Sequence, residues 1–245
     1  MEKLATKNIT VSYEGTNIIE DISIELKQGE IVCILGVSGV GKTTLFNVIS
    51  GLTKPDSGIV MLDDKDITGK AGNVSYMLQK DLLLPYKTIL DNVSLPLIIR
   101  GEKKQTAREQ TIKYFEEFGL QGTENKYPNQ LSGGMRQRAA LLRTYLFSDQ
   151  VALLDEPFSA LDSITKSNLH QWFLNVMDQI KLSSLLITHD IDEAITLADR
   201  IYILAGKPGK IKEEIIINEK RPRCKDFNVS EKFMKYKKHI LSILE

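Results

Sequence analysis

Cysteine is nearly absent from this 245-residue chain: Cys33 and Cys224 are the only two, and they stand far apart. No Cys-x-x-Cys pair and no Cys/His cluster occurs, so neither a zinc site nor a disulfide framework is expected, which fits a reducing cytosol. No run of about 18 apolar residues appears, so no segment is expected to span a bilayer by itself. The first residues, Met1-Glu2-Lys3-Leu4-Ala5-Thr6-Lys7, lack the apolar stretch of a signal peptide. The expectation is a soluble protein whose membrane role, if any, comes through a partner. Excess charge is missing too: Lys plus Arg number 32 and Asp plus Glu number 32. Non-specific nucleic-acid binding draws on a basic surplus, so no nucleic-acid partner is expected.

What is present is a core-forming fraction, 42% hydrophobic, arranged in two periods. Ile9, Val11 and Tyr13 alternate with polar neighbours, as do Ile22, Ile24 and Leu26, which predicts half-buried antiparallel strands within residues 4–35. Ile31-Val32-Cys33-Ile34-Leu35 breaks that alternation and reads as a central parallel strand covered on both faces. Further strands are predicted at 59–62, 74–78, 151–154, 184–188, 200–205 and 211–217. Residues 88–99 and 104–118 fit helices, the second placing Ile112, Phe115 and Phe118 on one side. Another helix is predicted over 135–147, so residues of about 80–147 form a helical insertion. Leu169, Trp172, Phe173, Val176, Met177 and Ile180 recur at helical spacing and read as core. Alternating β and α units imply a mostly parallel sheet wrapped by helices. Residues 225–245 predict a Lys-rich amphipathic helix with Phe233, Tyr236, Ile240, Leu241 and Leu244 near one face. Docking on its own domain is preferred there to lying on a membrane surface.

Gly36-Val37-Ser38-Gly39-Val40-Gly41-Lys42-Thr43-Thr44 follows the buried strand and opens a helix, matching G-x-x-x-x-G-K-[ST]. In that context Gly36, Ser38, Gly39, Gly41 and Thr44 cradle the phosphates of a nucleoside triphosphate. Lys42 supplies charge to the β- and γ-phosphates, and the Thr43 hydroxyl is a ligand for Mg²⁺. The strand Val151-Ala152-Leu153-Leu154 ends in Asp155-Glu156 at the edge where such sheets bind ligands. Asp155 is suited to hold the same Mg²⁺, and Glu156 to orient and deprotonate the attacking water. Ser132-Gly133-Gly134 precedes a helix and is by itself either an anion site or an ordinary cap.

Read together, Leu131-Ser132-Gly133-Gly134-Met135-Arg136-Gln137-Arg138, the phosphate loop and the Asp-Glu pair resemble the ATP-binding-cassette (ABC) family over about residues 4–220. That resemblance implies an α/β P-loop NTPase fold with an antiparallel β subdomain and a helical subdomain insertion. It divides the chain into an ATPase domain of 1–225 and a helical tail of 226–245. It further implies that Tyr13 stacks on adenine and that Gln79 contacts Mg²⁺ or water. Asp162, in Ser159-Ala160-Leu161-Asp162, would belong to the nucleotide interface, and His189 would touch the γ-phosphate. With Glu156, Gln79 and Lys42, His189 completes the implied catalytic set; Thr43, Gln79 and Asp155 are the implied metal set.

In the family, Ser132–Gly134 of one subunit closes over ATP held by the other. A head-to-tail homodimer around two ATP is therefore expected. Met135-Arg136-Gln137-Arg138, Ala205-Gly206-Lys207-Pro208-Gly209-Lys210-Ile211 and Arg221-Pro222-Arg223 resemble the nitrate/sulfonate/taurine importer ATPases. Importers of thiamine-precursor pyrimidines are similar. Lys207-Pro208-Gly209-Lys210 departs from the Arg-Pro-Gly-Arg usual there, and Lys binds differently from Arg. The implied partners are an integral membrane permease, received near Gln79, Leu84 and Pro85, and indirectly a solute-binding protein. The implied location is the cytoplasmic face of the cell membrane. The competing class is a non-transport ABC ATPase acting on a macromolecule, which co-purifying ribosomes or DNA would reveal.

Overall fold

The structure is a computed structural model that describes residues 2–148, 150–159, 162–221, 223 and 225–244. Cys224, Pro222, Ala160 and Leu161, singled out above within motifs or counts, lie outside the described residues. Strands β1 (Glu2–Tyr13) and β2 (Thr16–Lys27) form an antiparallel hairpin. Its two-residue turn, Glu14-Gly15, has positive φ at both positions, which matches the twist of the strands it joins. Ile9, Val11, Ile22, Ile24 and Leu26 are all buried, as their alternation requires.

Strand β3 (Ile31–Leu35) is buried along its whole length and runs into α1 (Lys42–Ile49). After it, β4 (Ser57–Leu62) pairs antiparallel with β1, and the short β5 (Lys65–Asp66) closes a sheet of order β2-β1-β4-β5. Five more strands complete a second sheet around β3: β6 (Ser75–Met77), β7 (Val151–Asp155), β8 (Ser183–Thr188), β9 (Arg200–Ala205) and β10 (Lys210–Ile216). The order is β10-β9-β3-β8-β7-β6, parallel except for β10.

Alternate residues of β3 feed two cores, which is why it reads as continuously apolar. Val32 and Ile34 join the core shared with α1 and the antiparallel sheet. Cys33 and Leu35 join the core shared with the helical side, where Phe115, Phe118, Phe173 and Leu186 are buried.

The helical insertion departs from expectation in three places. A single helix over 88–99 was expected, but the chain forms α2 (Ile89–Val93) and α3 (Leu95–Ile99), broken at Ser94. Pro96, in the first turn of α3, has no N–H to continue a helix from α2. Helix α4 (Lys104–Ile112) ends before the expected 118. Residues beyond it turn inward, with the Phe115 N–H bonded to the Ile112 carbonyl. Phe115 and Phe118 are thereby buried while Ile112 is left about half exposed, so the three do not share a face. Helix α5 (Gly133–Phe147) starts two residues earlier than expected, because Ser132 caps it by accepting from the Met135 N–H at 3.3 Å.

Beyond the insertion, α6 (Ser163–Ile180) and α7 (Ile191–Leu197) cover the parallel sheet. The apolar stripe of α6 packs into the core as expected, Leu169, Phe173, Val176 and Met177 being buried. The last helix, α8 (Glu231–Leu244), starts later than 225, after a 3-10 turn over Lys225–Val229. Phe233 and Ile240 are buried against the domain, with the Phe233 ring edge-on to Phe227 at 5.4 Å. Leu241, expected on that face, is 42% exposed. Two arginines fasten the chain before α8. Arg221 grips both Asp199 oxygens at 2.7 and 2.8 Å. Buried Arg223 donates to the Thr196 and Ala198 carbonyls at the end of α7, where a cation suits the helix dipole. Burial pushes the Arg223 guanidinium down to about 10.

Phe233→Ala should lower the unfolding free energy by about 3–5 kcal/mol, the cost of emptying a buried aromatic site. Urea titration reads it; a loss under about 0.5 kcal/mol would mean that the tail does not dock.

Candidate nucleotide-binding site

The loop between β3 and α1 is shaped by close approaches. A Cβ on Gly36 would lie 2.4 Å from the Leu204 carbonyl oxygen. Gly41 adopts φ +107°, and a Cβ there would meet the Ile19 side chain at 2.4 Å. Glycine is therefore required at both for space, and at Gly41 for conformation too. Lys42 reaches back along the loop, donating to the carbonyls of Gly36 at 2.8 Å and Val37 at 3.0 Å. Burial lowers the Lys42 pKa, while Glu156 and Asp155 pull it back up. Ser38, Gly39, Gly41, Lys42, Thr43 and Thr44 line a cleft of about 250 Å³ whose far wall is Asp155 and Glu156.

Asp155 ends β7. Its Oδ2 accepts from the Thr43 hydroxyl at 3.3 Å and from the Tyr76 hydroxyl at 3.5 Å. Burial raises the Asp155 pKa, opposed chiefly by the Thr43 hydrogen bond. Glu156 follows in the left-handed region at φ 44°, a conformation costing about 1–3 kcal/mol that a side chain keeps only when its surroundings demand it. Here they do. Its N–H bonds to the Ile187 carbonyl at 3.0 Å. One carboxylate oxygen accepts from Gln79 Nε2 at 3.2 Å, and the other lies 2.9 Å from His189 Nδ1.

The chain thus brings together the phosphate loop, Asp155, Glu156, Gln79 and His189. The other expected residues lie elsewhere. Tyr13, at the end of β1, is about half exposed and does not line the phosphate cleft. Asp162 caps α6 by accepting from the Thr165 N–H at 3.0 Å. Gly133 lines a second, larger cleft of about 750 Å³ together with Gln79, Glu156, Ser159 and His189. None of Ser132, Gly133 and Gly134 lines the phosphate cleft.

Several supporting residues have roles that the motifs did not disclose, although Ser159 and Arg136 stand within two of them. Ser159 donates to the Glu156 carbonyl at 3.0 Å and accepts from Gln79 at 3.3 Å. Lys166 binds Asp190 at 2.6 Å and the buried Glu193 at 2.8 Å, fixing the turn just after His189. Arg143 donates to the Asp81 and Leu82 carbonyls at 2.5 and 2.8 Å, and Arg136 binds the Asp81 side chain at 3.1 Å. Both arginines steady the loop that carries Gln79. For Arg143 the hint was a cluster of cations on one helix, which reads equally as a solvated face.

An apolar groove was also unforeseen. It measures about 350 Å³ and is lined by Leu52, Val74, Tyr76, Leu95, Pro96, Ile99 and Phe147, with Arg143 at its polar side. Leu52 and Ile99 are 66% and 74% exposed. Gln79, Leu84 and Pro85, the expected seat of a partner, do not line it.

The donor set fits Mg²⁺. A threonine hydroxyl and a buried carboxylate are hard oxygen ligands, and this cation keeps most of its shell as water and phosphate oxygen. Among the described residues no group of three or more His, Cys, Asp or Glu forms a competing metal cage.

Residues 19–159 match the family model described as "ABC transporter". The chain belongs to the ABC transporter family. The formylaminopyrimidine import ATP-binding protein ThiZ of Halalkalibacterium halodurans is 46% identical over 84% of this chain and 81% of its own length. The aliphatic sulfonates import ATP-binding protein SsuB of Bacillus cereus is 38% identical over 97% of this chain and 96% of its own. Among solved structures, the ABC cassette MJ0796, dimeric and bound to ADP and Pi, superposes with a TM-score of 0.73. It is 30% identical, covering 89% of this chain and all of that one. This ABC protein therefore binds ATP and is an ATPase with the expected P-loop fold, and the expected likeness to importer ATPases holds. Among the described residues, no helix is long and apolar enough to cross a membrane.

Replacing Lys42 by Met should weaken nucleotide binding about 10- to 150-fold, the value of one charge-assisted hydrogen bond to phosphate. Titration with a fluorescent ATP analogue reads the loss.

Proposed function

We propose that this ATPase powers uptake of a small solute through a separate integral membrane permease, seated on its cytoplasmic face. In this reading two copies close head-to-tail around two ATP. The observation that carries it is the split of the site. One chain assembles Lys42, Thr43, Asp155, Glu156, Gln79 and His189, yet holds Ser132–Gly134 off its own phosphate cleft. A second copy would bring its Ser132-capped helix N-terminus to the first copy's phosphates, where unpaired N–H groups meet anionic charge.

Each residue then has a task. The phosphate loop and Lys42 hold the β- and γ-phosphates. Thr43 and Asp155, with Gln79 near by, would hold Mg²⁺, which when bound neutralises charge on the phosphate oxygens. Glu156 takes the proton of the water that attacks the γ-phosphorus as the bond to ADP breaks. His189, held 2.9 Å from Glu156, lies beside the departing phosphoryl group, and Gln79 keeps the Glu156 carboxylate aligned. Tyr13 and Asp162 act at the adenine and at the closed interface.

The groove beside β6 suits an amphipathic segment of the permease: apolar walls seat its apolar face, and Arg143 takes an acidic or carbonyl group. A solute-binding protein would act through the permease. The solute class follows the relatives, and the greater likeness to ThiZ than to SsuB favours a formylated aminopyrimidine over an aliphatic sulfonate.

Glu156→Gln should cut hydrolysis by about 10²–10⁴ while preserving ATP binding, and size-exclusion with ATP should show a trapped dimer. Near-normal turnover would refute the role of Glu156. For transport, the ATPase is reconstituted in liposomes with its co-purifying polytopic membrane protein and binding protein. An aminopyrimidine or sulfonate solute should stimulate hydrolysis and accumulate inside, and Ile99→Glu should abolish both. If no permease is recovered and no solute stimulates, the importer reading fails.

A further inference from the structure

The groove and the metal-binding carboxylate share one side chain. Tyr76 sits at the middle of β6, the edge strand of the parallel sheet, between Ser75 and Met77, which are buried on the opposite side. Its ring lines the groove beside Leu52, Leu95 and Pro96. The other flank of the ring meets Phe46 of α1 edge-on, with centroids 5.8 Å apart and planes at 81°. The hydroxyl donates to Asp155 Oδ2 at 3.5 Å, the same oxygen that accepts from Thr43. An object pressed into the groove thus bears on a ring whose far end orients the carboxylate, and whose flank touches the helix carrying Thr43.

We propose that Tyr76 is a positioning residue that couples occupancy of the groove to the Mg²⁺-binding carboxylate of Asp155. The hydroxyl holds Asp155 in one rotamer. Groove occupancy moves the ring and changes how well that carboxylate presents its oxygens beside Thr43. Partners that orient a metal ligand without touching the metal commonly change metal affinity by about 10- to 100-fold. The 3.5 Å contact is long for a hydrogen bond, so its effect falls at or below the lower end. Arg143 offers a second route out of the groove, through the carbonyls of Asp81 and Leu82 to Gln79. The Tyr76 route is distinguished by acting on the cation rather than on the Gln79 loop. The proposal rests on reading the groove as the permease seat, but its test needs no permease.

The experiment uses the full chain alone and reads the Mg²⁺ concentration for half-maximal binding of a fluorescent ATP analogue. Analogue affinity without Mg²⁺ is the control. Tyr76→Phe keeps the ring and removes the hydroxyl. It should raise the Mg²⁺ requirement about three- to tenfold and leave Mg²⁺-free affinity and melting temperature unchanged. Leu52→Trp then fills the groove from its exposed wall. It should shift the Mg²⁺ requirement at least threefold when Tyr76 is present and under 1.5-fold in the Tyr76→Phe background, a coupling read as a double-mutant cycle. An unchanged or lower Mg²⁺ requirement in Tyr76→Phe overturns the proposal. So does an equal Leu52→Trp shift in both backgrounds, or none in either. These outcomes concern the isolated chain, so failure here leaves the permease reading standing. Failure to recover a permease with the unaltered chain sinks that reading instead.

Discussion

The register of three adjacent parallel strands is the constraint on which this site depends. β3, β8 and β7 lie side by side, with Leu35 opposite Thr188 and Ile187 opposite Asp155. Each strand ends where its neighbour ends, so the phosphate loop, His189 and Glu156 emerge at one edge of the sheet. The bond from the Glu156 N–H to the Ile187 carbonyl carries that ladder one residue past β7. It holds Glu156 in a backbone conformation it would not otherwise keep. A one-residue slip would turn Asp155 away from Thr43 and send apolar side chains to the wrong core. The apolar faces of β3 therefore determine the geometry of the polar site.

Around that edge, cations to which the sequence assigned no such role hold the loops in place. Lys166 pins the turn after His189, Arg143 and Arg136 pin the loop after Gln79, and Arg221 and Arg223 lock the chain entering α8. Most of these bonds end on backbone carbonyls or partly buried carboxylates, where a lost partner leaves a desolvated group unpaired. These few cations act in bonds between elements, while many of the other charged side chains are exposed. Equal numbers of acidic and basic residues cancel in the net charge and so gave no sign of these individual bonds.

Local chemistry made some features legible. The buried strand into Gly36–Thr44 was readable because only a covered parallel strand is apolar on both faces. Asp155 and Glu156 were readable because they follow a second such strand. Helix ends in the insertion were not readable with the same ease. Ile112 fits the period of Phe115 and Phe118, but the helix stops there, and burial of the two phenylalanines is reached by a turn. The periodicity of 88–99 likewise hid the break at Ser94. Tyr76 is one aromatic in a short strand, and nothing in its neighbours discloses that its two ends face different sites.

Residue order by itself determined the nucleotide chemistry, since a Gly-rich loop with Lys-Thr and a strand ending in Asp-Glu act through backbone and side-chain groups near in sequence. It also determined the alternation of strands and helices, and so the parallel sheet. Tertiary structure alone decided which of these groups meet. It joined Glu156 to Gln79 and His189 across three separate segments, and kept Ser132–Gly134 off the chain's own phosphate cleft. It also placed Tyr76 between an apolar groove and Asp155. Those relations depend on strand register and on where a helix stops, set by contacts among residues far apart in the chain.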